Sequence, residues 1–228
     1  MNILRLTAKD FKNYQYVGKE DVTNYNGHIE IDGNLGWLSF TSLKASGHIW
    51  AEAGTGIKAG TGIKAGEGIE AGWGIEAGWG IEAGMGIKAG WGIEAGEGIK
   101  AGWGIKAGWG IEAGEGIKAG MGIEAGWGIK AGEGIEAGEG IKAGLSITCK
   151  LAISFSYKIF AGICYWKETT DEEKTIICGK LEPKRVQDKV EYGILKETGM
   201  PSEIKTPSLS GKIVKVSPDE VGWEATIK

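Results

Sequence analysis

Proline, cysteine, histidine and long apolar runs are scarce in this chain of 228 residues. No proline lies inside its central repeat and no strict period of three occurs, which excludes a collagen-like triple helix. No run of 18 apolar residues is present and the N-terminus lacks an apolar signal segment, so neither a membrane span nor a secretory signal is predicted. The three cysteines have no metal-ligand spacing, so we expect reduced thiols, a cytoplasmic location and no metal or cofactor.

The net charge of −4 is small, and positive and negative residues are interspersed. Nucleic-acid binding driven by phosphate contacts needs a basic stripe, which is missing here. No nucleic-acid partner is therefore expected.

Glycine, by contrast, is abundant, because a six-residue unit x-Gly-Ile-(Lys/Glu)-Ala-Gly fills residues 55–144 in fifteen consecutive copies. Only x and the charged position vary. A fixed short period predicts a solenoid in which each coil stacks on the one before.

Strand alternation predicts which side chains of the unit are buried. Ile and Ala have the same parity and the charged residue the opposite one, so Ile and Ala should face the interior. Five copies have Glu at x, and unpaired carboxylates in a narrow apolar core would be prohibitive. We therefore expect Gly-x-Gly to be a corner with x turned outward, with glycine supplying the backbone angles of the bend.

The variable positions indicate how many units form one coil, because stacked positions should match. At a spacing of 12, identical x residues coincide in 2 of 13 pairs and opposite charges in 5 of 13; at 18 the counts are 5 of 12 and 8 of 12. Three units, about 18 residues, are therefore predicted for each triangular coil.

The unit resembles the left-handed β-helix of hexapeptide-repeat proteins over about half the chain, although here the small residue follows the aliphatic one by two positions. It also resembles repeats of the Ala-Gly-x-Gly-Ile-x type in uncharacterised bacterial proteins, some on mobile elements. The resemblance implies an all-β solenoid and no particular function.

Three regions are predicted: an N-terminal cap at 1–48, the solenoid at 49–162 with degraded units at both ends, and a small β-rich C-terminal domain at 163–228. Residue Cys149 falls at an Ala position and should be buried. Strand-like runs of the last region are Thr175–Leu181, Lys189–Leu195, Lys212–Val216 and Trp223–Ile227.

A spacing of 18 places the x residues in three corner columns. They are Thr55, Trp73, Trp91, Trp109 and Trp127; Thr61, Trp79, Glu97, Glu115 and Glu133; and Glu67, Met85, Trp103, Met121 and Glu139. Four stacked Trp residues form either a self-stabilising edge, at about 0.5–1.5 kcal/mol per pair, or a contact surface, since Trp is enriched in binding hot spots.

The predicted function is a non-enzymatic scaffold that binds a protein partner or itself. The predicted surface consists of Trp73, Trp91, Trp109 and Trp127, with Trp79 and Trp103, and the C-terminal domain is the alternative region for this contact. A mobile-element inhibitor of a host defence protein and a carbohydrate-binding Trp strip remain alternatives. A hexapeptide acyltransferase is a weaker alternative. Both histidines, His28 and His48, lie outside the perfect repeats, and no loop interrupts those repeats.

Overall fold

The chain forms a parallel β-solenoid with three sheets, one on each side of a triangular coil. The structure is a computed structural model that describes residues 2–164 and 166–200. Strands, numbered in chain order, follow one another around the coil from sheet 1 to sheet 2 to sheet 3. The all-β solenoid and the 18-residue coil are thus confirmed, since successive strands of the perfect repeats pair at that spacing.

In spatial order, sheet 1 consists of β1 (Ile3–Leu6), β4 (His28–Ile31), β7 (Ile49–Ala51), β10 (Ile69–Ala71), β13 (Ile87–Ala89), β16 (Ile105–Ala107), β19 (Ile123–Ala125), β22 (Ile141–Ala143), β25 (Lys158–Ala161) and β28 (Lys189–Tyr192). Sheet 2 consists of β2 (Phe11–Lys12), β3 (Gln15–Tyr16), β5 (Gly36–Phe40), β8 (Thr55–Ala59), β11 (Ile75–Ala77), β14 (Ile93–Ala95), β17 (Ile111–Ala113), β20 (Ile129–Ala131), β23 (Ile147–Thr148), β26 (Thr175–Cys178) and β29 (Ile194–Glu197). Sheet 3 consists of β6 (Leu43–Ala45), β9 (Ile63–Ala65), β12 (Ile81–Ala83), β15 (Ile99–Ala101), β18 (Ile117–Ala119), β21 (Ile135–Ala137), β24 (Ala152–Phe155) and β27 (Lys180–Pro183).

The interior is a set of stacked Ile and Ala side chains. In the perfect repeats every Ile is at most 1% exposed and every Ala at most 7%. Each Ile pairs in register with an Ile of the next coil, as Ile81, Ile99 and Ile117 do. The charged residue between them points to solvent, so the prediction that Ile and Ala face the interior is confirmed.

Charge ladders run along the outer faces. Seven of the eight opposite-charge neighbours expected at the 18-residue spacing form ion pairs, with N–O distances of 2.5 to 3.2 Å. The side chains are exposed, so each pair contributes only about 0.2–1 kcal/mol.

The reason that each unit needs glycine at two positions differs from the one expected. None of these glycines has a positive φ. A Cβ added to Gly96, which follows Ala, would lie 2.0 Å from the carbonyl oxygen of Gly78 in the previous coil. A Cβ on Gly98 would lie 3.3 Å from the oxygen of Gly116, a much milder contact. The corner thus needs glycine because adjacent coils approach closely there, not because the bend needs unusual backbone angles.

The N-terminal coils continue the same sheets but with coils of irregular length. The pairs Ile29–Ile49 and Leu43–Ile63 are 20 residues apart, and Leu38–Ile57 are 19 apart. Strands β2 and β3 pair antiparallel over this end. A 3-10 helix, Ala8–Asp10, follows a capping box formed by Thr7 and Asp10.

Aromatic and polar side chains cover the N-terminal end. The rings of Phe11, Tyr16 and Phe40 lie 5.6 to 5.7 Å apart. Thr55, expected at an outer corner, is instead buried in β8, where its Oγ1 donates to the Asp32 carbonyl and accepts from the Leu35 N–H. The first member of the predicted corner column is therefore an interior residue.

The C-terminal strands also extend the solenoid. β26 pairs with β23, β27 with β24 and β28 with β25, all parallel, so the sheets run on past residue 162. The predicted strands Thr175–Leu181 and Lys189–Leu195 are each split between two sheets. The chain turns a corner at Gly179 in the first and at Gly193 in the second. The expected strands Lys212–Val216 and Trp223–Ile227 lie outside the described residues. Within the described part of the chain, no helix has the length and apolar character needed to span a bilayer.

Candidate binding surface

Four indoles stack at the corner between sheets 1 and 2. We call Trp73, Trp91, Trp109 and Trp127 the Trp ladder. Their ring centroids are separated in turn by 4.6, 5.2 and 5.6 Å, with interplanar angles of 7°, 4° and 14°. Backbone hydrogen bonds through the corner, such as Trp91 N–H to the Trp73 carbonyl at 3.1 Å, hold successive rings at the coil spacing.

Trp37 of β5 terminates the Trp ladder at its N-terminal end. Its ring meets those of Trp73 and Trp91 edge-on, with centroids 6.5 Å away in each case. It lies across Gly56 and Gly74, where an added Cβ would come within 2.7 and 2.6 Å of the indole. The other end of the ladder is open to solvent, since Trp109 and Trp127 are each 47% exposed.

The other two tryptophans of the predicted surface lie apart from the Trp ladder. Trp79 is 59% exposed at the corner between sheets 2 and 3, and Trp103 is 54% exposed at the corner between sheets 3 and 1. Neither makes a ring contact with an aromatic residue of the described chain. The structure therefore groups four of the six predicted residues and leaves two isolated.

Beside the Trp ladder, sheet 2 carries three glutamates in register, Glu76, Glu94 and Glu112, which we call the acidic row. Lys58 pairs with Glu76 at 2.9 Å, and Lys130 pairs with Glu112 at 2.5 Å. The hydrogen bond to Glu76 raises the pKa of Lys58. Among the described residues Glu94 has no ion pair, so the middle of the row holds one uncompensated carboxylate.

A groove of about 460 Å³ separates the Trp ladder from the acidic row. Its floor is Gly and Ile backbone of sheet 2, and its walls include Trp91, Trp109 and Glu94. Larger grooves of about 1090 and 950 Å³ follow sheets 1 and 3. Those grooves are lined mainly by Lys and Glu side chains, many of them ion-paired, although Lys100 and Glu97 in the groove of sheet 3 form no ion pair within the described residues. What sets the groove of sheet 2 apart is its wall of stacked aromatic rings.

Two of the three cysteines do not resemble nucleophiles. Cys149 and Cys178 are buried, and burial above all raises the pKa of Cys149 to about 12 and that of Cys178 to about 11. Both thiols are therefore protonated at neutral pH, whereas a nucleophilic cysteine needs a lowered pKa. The burial predicted for Cys149 is confirmed.

The two histidines, which lie outside the perfect repeats, lie against each other. Their ring centroids are 4.1 Å apart, in successive coils of sheet 1, and Glu67 of the next coil lies 3.9 Å from the Nδ1 atom of each. A sequence signal existed: Gly-His-Ile occurs at residues 27–29 and again at 47–49. These three side chains are the described residues that could hold a metal ion.

Comparison with known proteins adds no relationship, since no family model, curated protein or solved structure matches the chain.

Proposed function

We propose that this protein is a rigid, non-enzymatic scaffold that binds another protein through the Trp ladder and the acidic row beside it. The observation that carries the proposal is the run of four stacked, partly exposed indoles next to the unpaired Glu94. Contiguous exposed aromatic area usually marks an interaction site, and central Trp residues dominate many interfaces.

The chemistry of the surface favours a partner that presents apolar side chains next to a Lys or Arg. Apolar groups would pack on the outward edges of Trp109 and Trp127. A basic side chain would pair with Glu94, because the flanking glutamates already have Lys58 and Lys130. Such a contact neutralises the one free charge of the row and excludes water around it.

Rigidity supports the scaffold role. Backbone hydrogen bonds link the main chains of successive Trp residues from coil to coil, so the surface is ordered before a partner arrives. A preorganised surface loses little conformational entropy on binding. An inhibitor of a host defence protein would use the same surface, and the same variants test it.

The stacking weighs against the carbohydrate alternative. A sugar ring packs on the face of an indole, but neighbouring rings of the Trp ladder cover one another's faces at 4.6 to 5.6 Å. What the ladder offers is a line of ring edges, which suits protein side chains better.

The decisive experiment compares two double variants that remove the same residue type from the same repeat position. Trp91→Glu with Trp109→Glu disrupts the Trp ladder, while Trp79→Glu with Trp103→Glu removes the two isolated tryptophans. Both should fold, since Glu occupies the same repeat position at Glu97 and Glu115. Loss of a central anchor commonly costs about 2 kcal/mol, so partner affinity should fall at least about 30-fold for each ladder residue.

Binding is measured as the set of proteins retained from a host lysate, followed by titration of each recovered partner, with sedimentation for self-association. The ladder variant should lose what wild type and the control variant keep. Equal retention by all three proteins contradicts the proposal.

Charge gives a second, independent test. Glu94→Lys should weaken binding, whereas Lys100→Glu on sheet 3 should not, although it too changes an exposed strand residue. A thermal-shift assay with acyl-CoA tests the acyltransferase alternative, and no shift is expected.

A further inference from the structure

The two histidines occupy a place where the repeat pattern is changed. In the perfect repeats the corner residue is followed by glycine, but at 27–29 and 47–49 the order is reversed to Gly-His-Ile. Gly27, Gly47 and Glu67 stack at one corner through backbone hydrogen bonds of 2.9 and 3.2 Å. The corner positions at Gly27 and Gly47 therefore carry no side chain, unlike the corner at Glu67.

The missing side chain at Gly47 makes room for the first histidine. A Cβ added there would lie 2.4 Å from Nδ1 of His28. With glycine at this position, the His28 ring lies over the corner and its Nδ1 comes within 3.9 Å of Glu67 Oε2. The Nδ1 atom of His48 lies at the same distance from the same oxygen. Two imidazoles and a carboxylate thus converge from three successive coils.

The arrangement of acceptors leaves a place for a cation. The Nδ1 of His28 accepts the backbone N–H of His48 at 3.0 Å, so this nitrogen is the unprotonated one of the ring and its lone pair lies on the side of the cluster where that N–H is. At the other side of His48, Nε2 lies 3.7 Å from Glu30 Oε1. In the neutral tautomer of His48 with its proton on Nε2, the N–H faces Glu30 and the Nδ1 lone pair faces Glu67. A carboxylate that orients a histidine from its far nitrogen is the usual outer partner of a metal-bound imidazole.

From this geometry we propose a divalent transition-metal site, with Zn²⁺ as the expected ion, formed by Nδ1 of His28, Nδ1 of His48 and the carboxylate of Glu67. Zn²⁺ favours nitrogen and oxygen ligands at about 2.0–2.2 Å, so two ligand atoms of one ion are at most about 4.3 Å apart. The two separations from Glu67 are 3.9 Å, and all three ligand atoms lie within 4.8 Å of one another, so the side chains must move closer together to reach tetrahedral geometry. Three protein ligands leave one position for water.

Binding requires His28 to exchange the hydrogen bond from the His48 N–H for the ion. An N–H without a protein acceptor is tolerated at this repeat position elsewhere, since the equivalent N–H groups of Gly68 and Gly86 donate to no protein acceptor in the described structure. The side chains of His48 and Glu67 are 33% and 43% exposed, and the groove along sheet 1 reaches His48. An ion can therefore enter from solvent, and it would connect three coils next to the N-terminal end.

The test uses the full chain without a polyhistidine tag. Calorimetric titration with ZnCl₂ at pH 7.5 should give one ion per chain. At a Zn²⁺ concentration about a hundredfold above Kd, the Tm should rise by about 5–10 °C. The absorption spectrum with Co²⁺ should show the bands of a tetrahedral nitrogen and oxygen site.

Conservative variants identify the ligands. His48→Gln and Glu67→Gln should each weaken Zn²⁺ binding more than tenfold, and Glu30→Gln about 10–100-fold. Glu139→Gln changes a glutamate of the same corner column away from the cluster and should leave binding unchanged. Cys164→Ser, which removes the least buried thiol, should do the same.

Circular dichroism checks that each variant is folded. If the histidine variant does not fold, the isosteric Glu67→Gln variant still tests the proposed ligand set. The proposal is overturned if wild type binds no Zn²⁺. It is equally overturned if folded Glu67→Gln binds as tightly as wild type, or if Glu139→Gln or Cys164→Ser abolishes binding.

Discussion

The perfect repeats of residues 55–144 and the N-terminal coils of residues 2–54 share the same three sheets but differ in how each coil is fixed. In the repeats the spacing is a constant 18 and Ile lies on Ile. In the N-terminal coils the spacing varies from 19 to 25, and individual side-chain hydrogen bonds connect the coils. Arg5, for example, bonds both Asp32 and Glu52, one and two coils away.

This difference concerns register. A shift of whole units in a perfect repeat brings Ile back onto Ile, so the repeat by itself specifies its alignment weakly. The N-terminal coils carry contacts that fit only one alignment, including the buried Thr55 and Trp37 over its two glycines. The irregular end therefore sets the register that the regular part propagates.

The largest expected effect comes from placing a charge inside a perfect coil. Ile99 is 1% exposed between Ile81 and Ile117, and Ile99→Asp puts a carboxylate into an apolar column with no partner. We expect loss of the cooperative thermal transition measured by circular dichroism. Lys100→Asp, at the adjacent outward position, is the control and should keep it. A normal transition for Ile99→Asp would contradict the burial of the Ile side chains in the interior.

Three glycine-to-alanine variants separate the two regions by mechanism. Gly96→Ala should destabilise by about 3 kcal/mol, because its Cβ meets a backbone oxygen at 2.0 Å. Gly36→Ala, in β5, should cost about 1–2 kcal/mol through its φ of +72° alone, since its nearest atom is 3.7 Å away. Gly98→Ala should stay within about 1 kcal/mol of wild type. Urea unfolding measures the series, and a Gly98 effect equal to that of Gly96 would refute the close-approach explanation.

The smallest effect concerns the charge ladders in acid. The hydrogen bond from Lys64 lowers the pKa of Glu82, and that from Lys118 lowers the pKa of Glu136. For Glu124, burial opposes the shift, but hydrogen bonds from Lys106 and Lys142 still lower its pKa. A carboxylate with a lowered pKa in the folded state stabilises above its unfolded pKa, about 4.3, and that stabilisation disappears as pH falls through the folded value.

We therefore expect the urea midpoint to be level from pH 7 to about 5 and to fall below it. Each exposed pair contributes no more than about 1 kcal/mol. Glu136→Gln should reduce the acid-induced fall, whereas the unpaired Glu97→Gln should not. A fall of equal size in both variants would show that the ladders are not its source.

Much of the fold could be predicted because the repeat supplies fifteen independent copies of one pattern. The buried Ile and Ala, the 18-residue coil and the stacked column of four tryptophans all follow from parity and spacing. The position of Thr55, the pairing of the histidines and the role of Gly96 could not, because each depends on a contact between particular atoms in neighbouring coils. Gly-His-Ile repeats only once, too few copies for spacing to show what it brings together.

The constant coil has a consequence for how such a surface can change over generations. Because every column recurs after 18 residues, gaining or losing one segment of that size lengthens or shortens the molecule by about 4.8 Å and leaves both ends unaltered. A duplication of this kind would also add one residue to the Trp ladder and one charge to each face. The length of the contact surface is therefore inherited separately from the irregular coils at its ends, and can vary without any new fold.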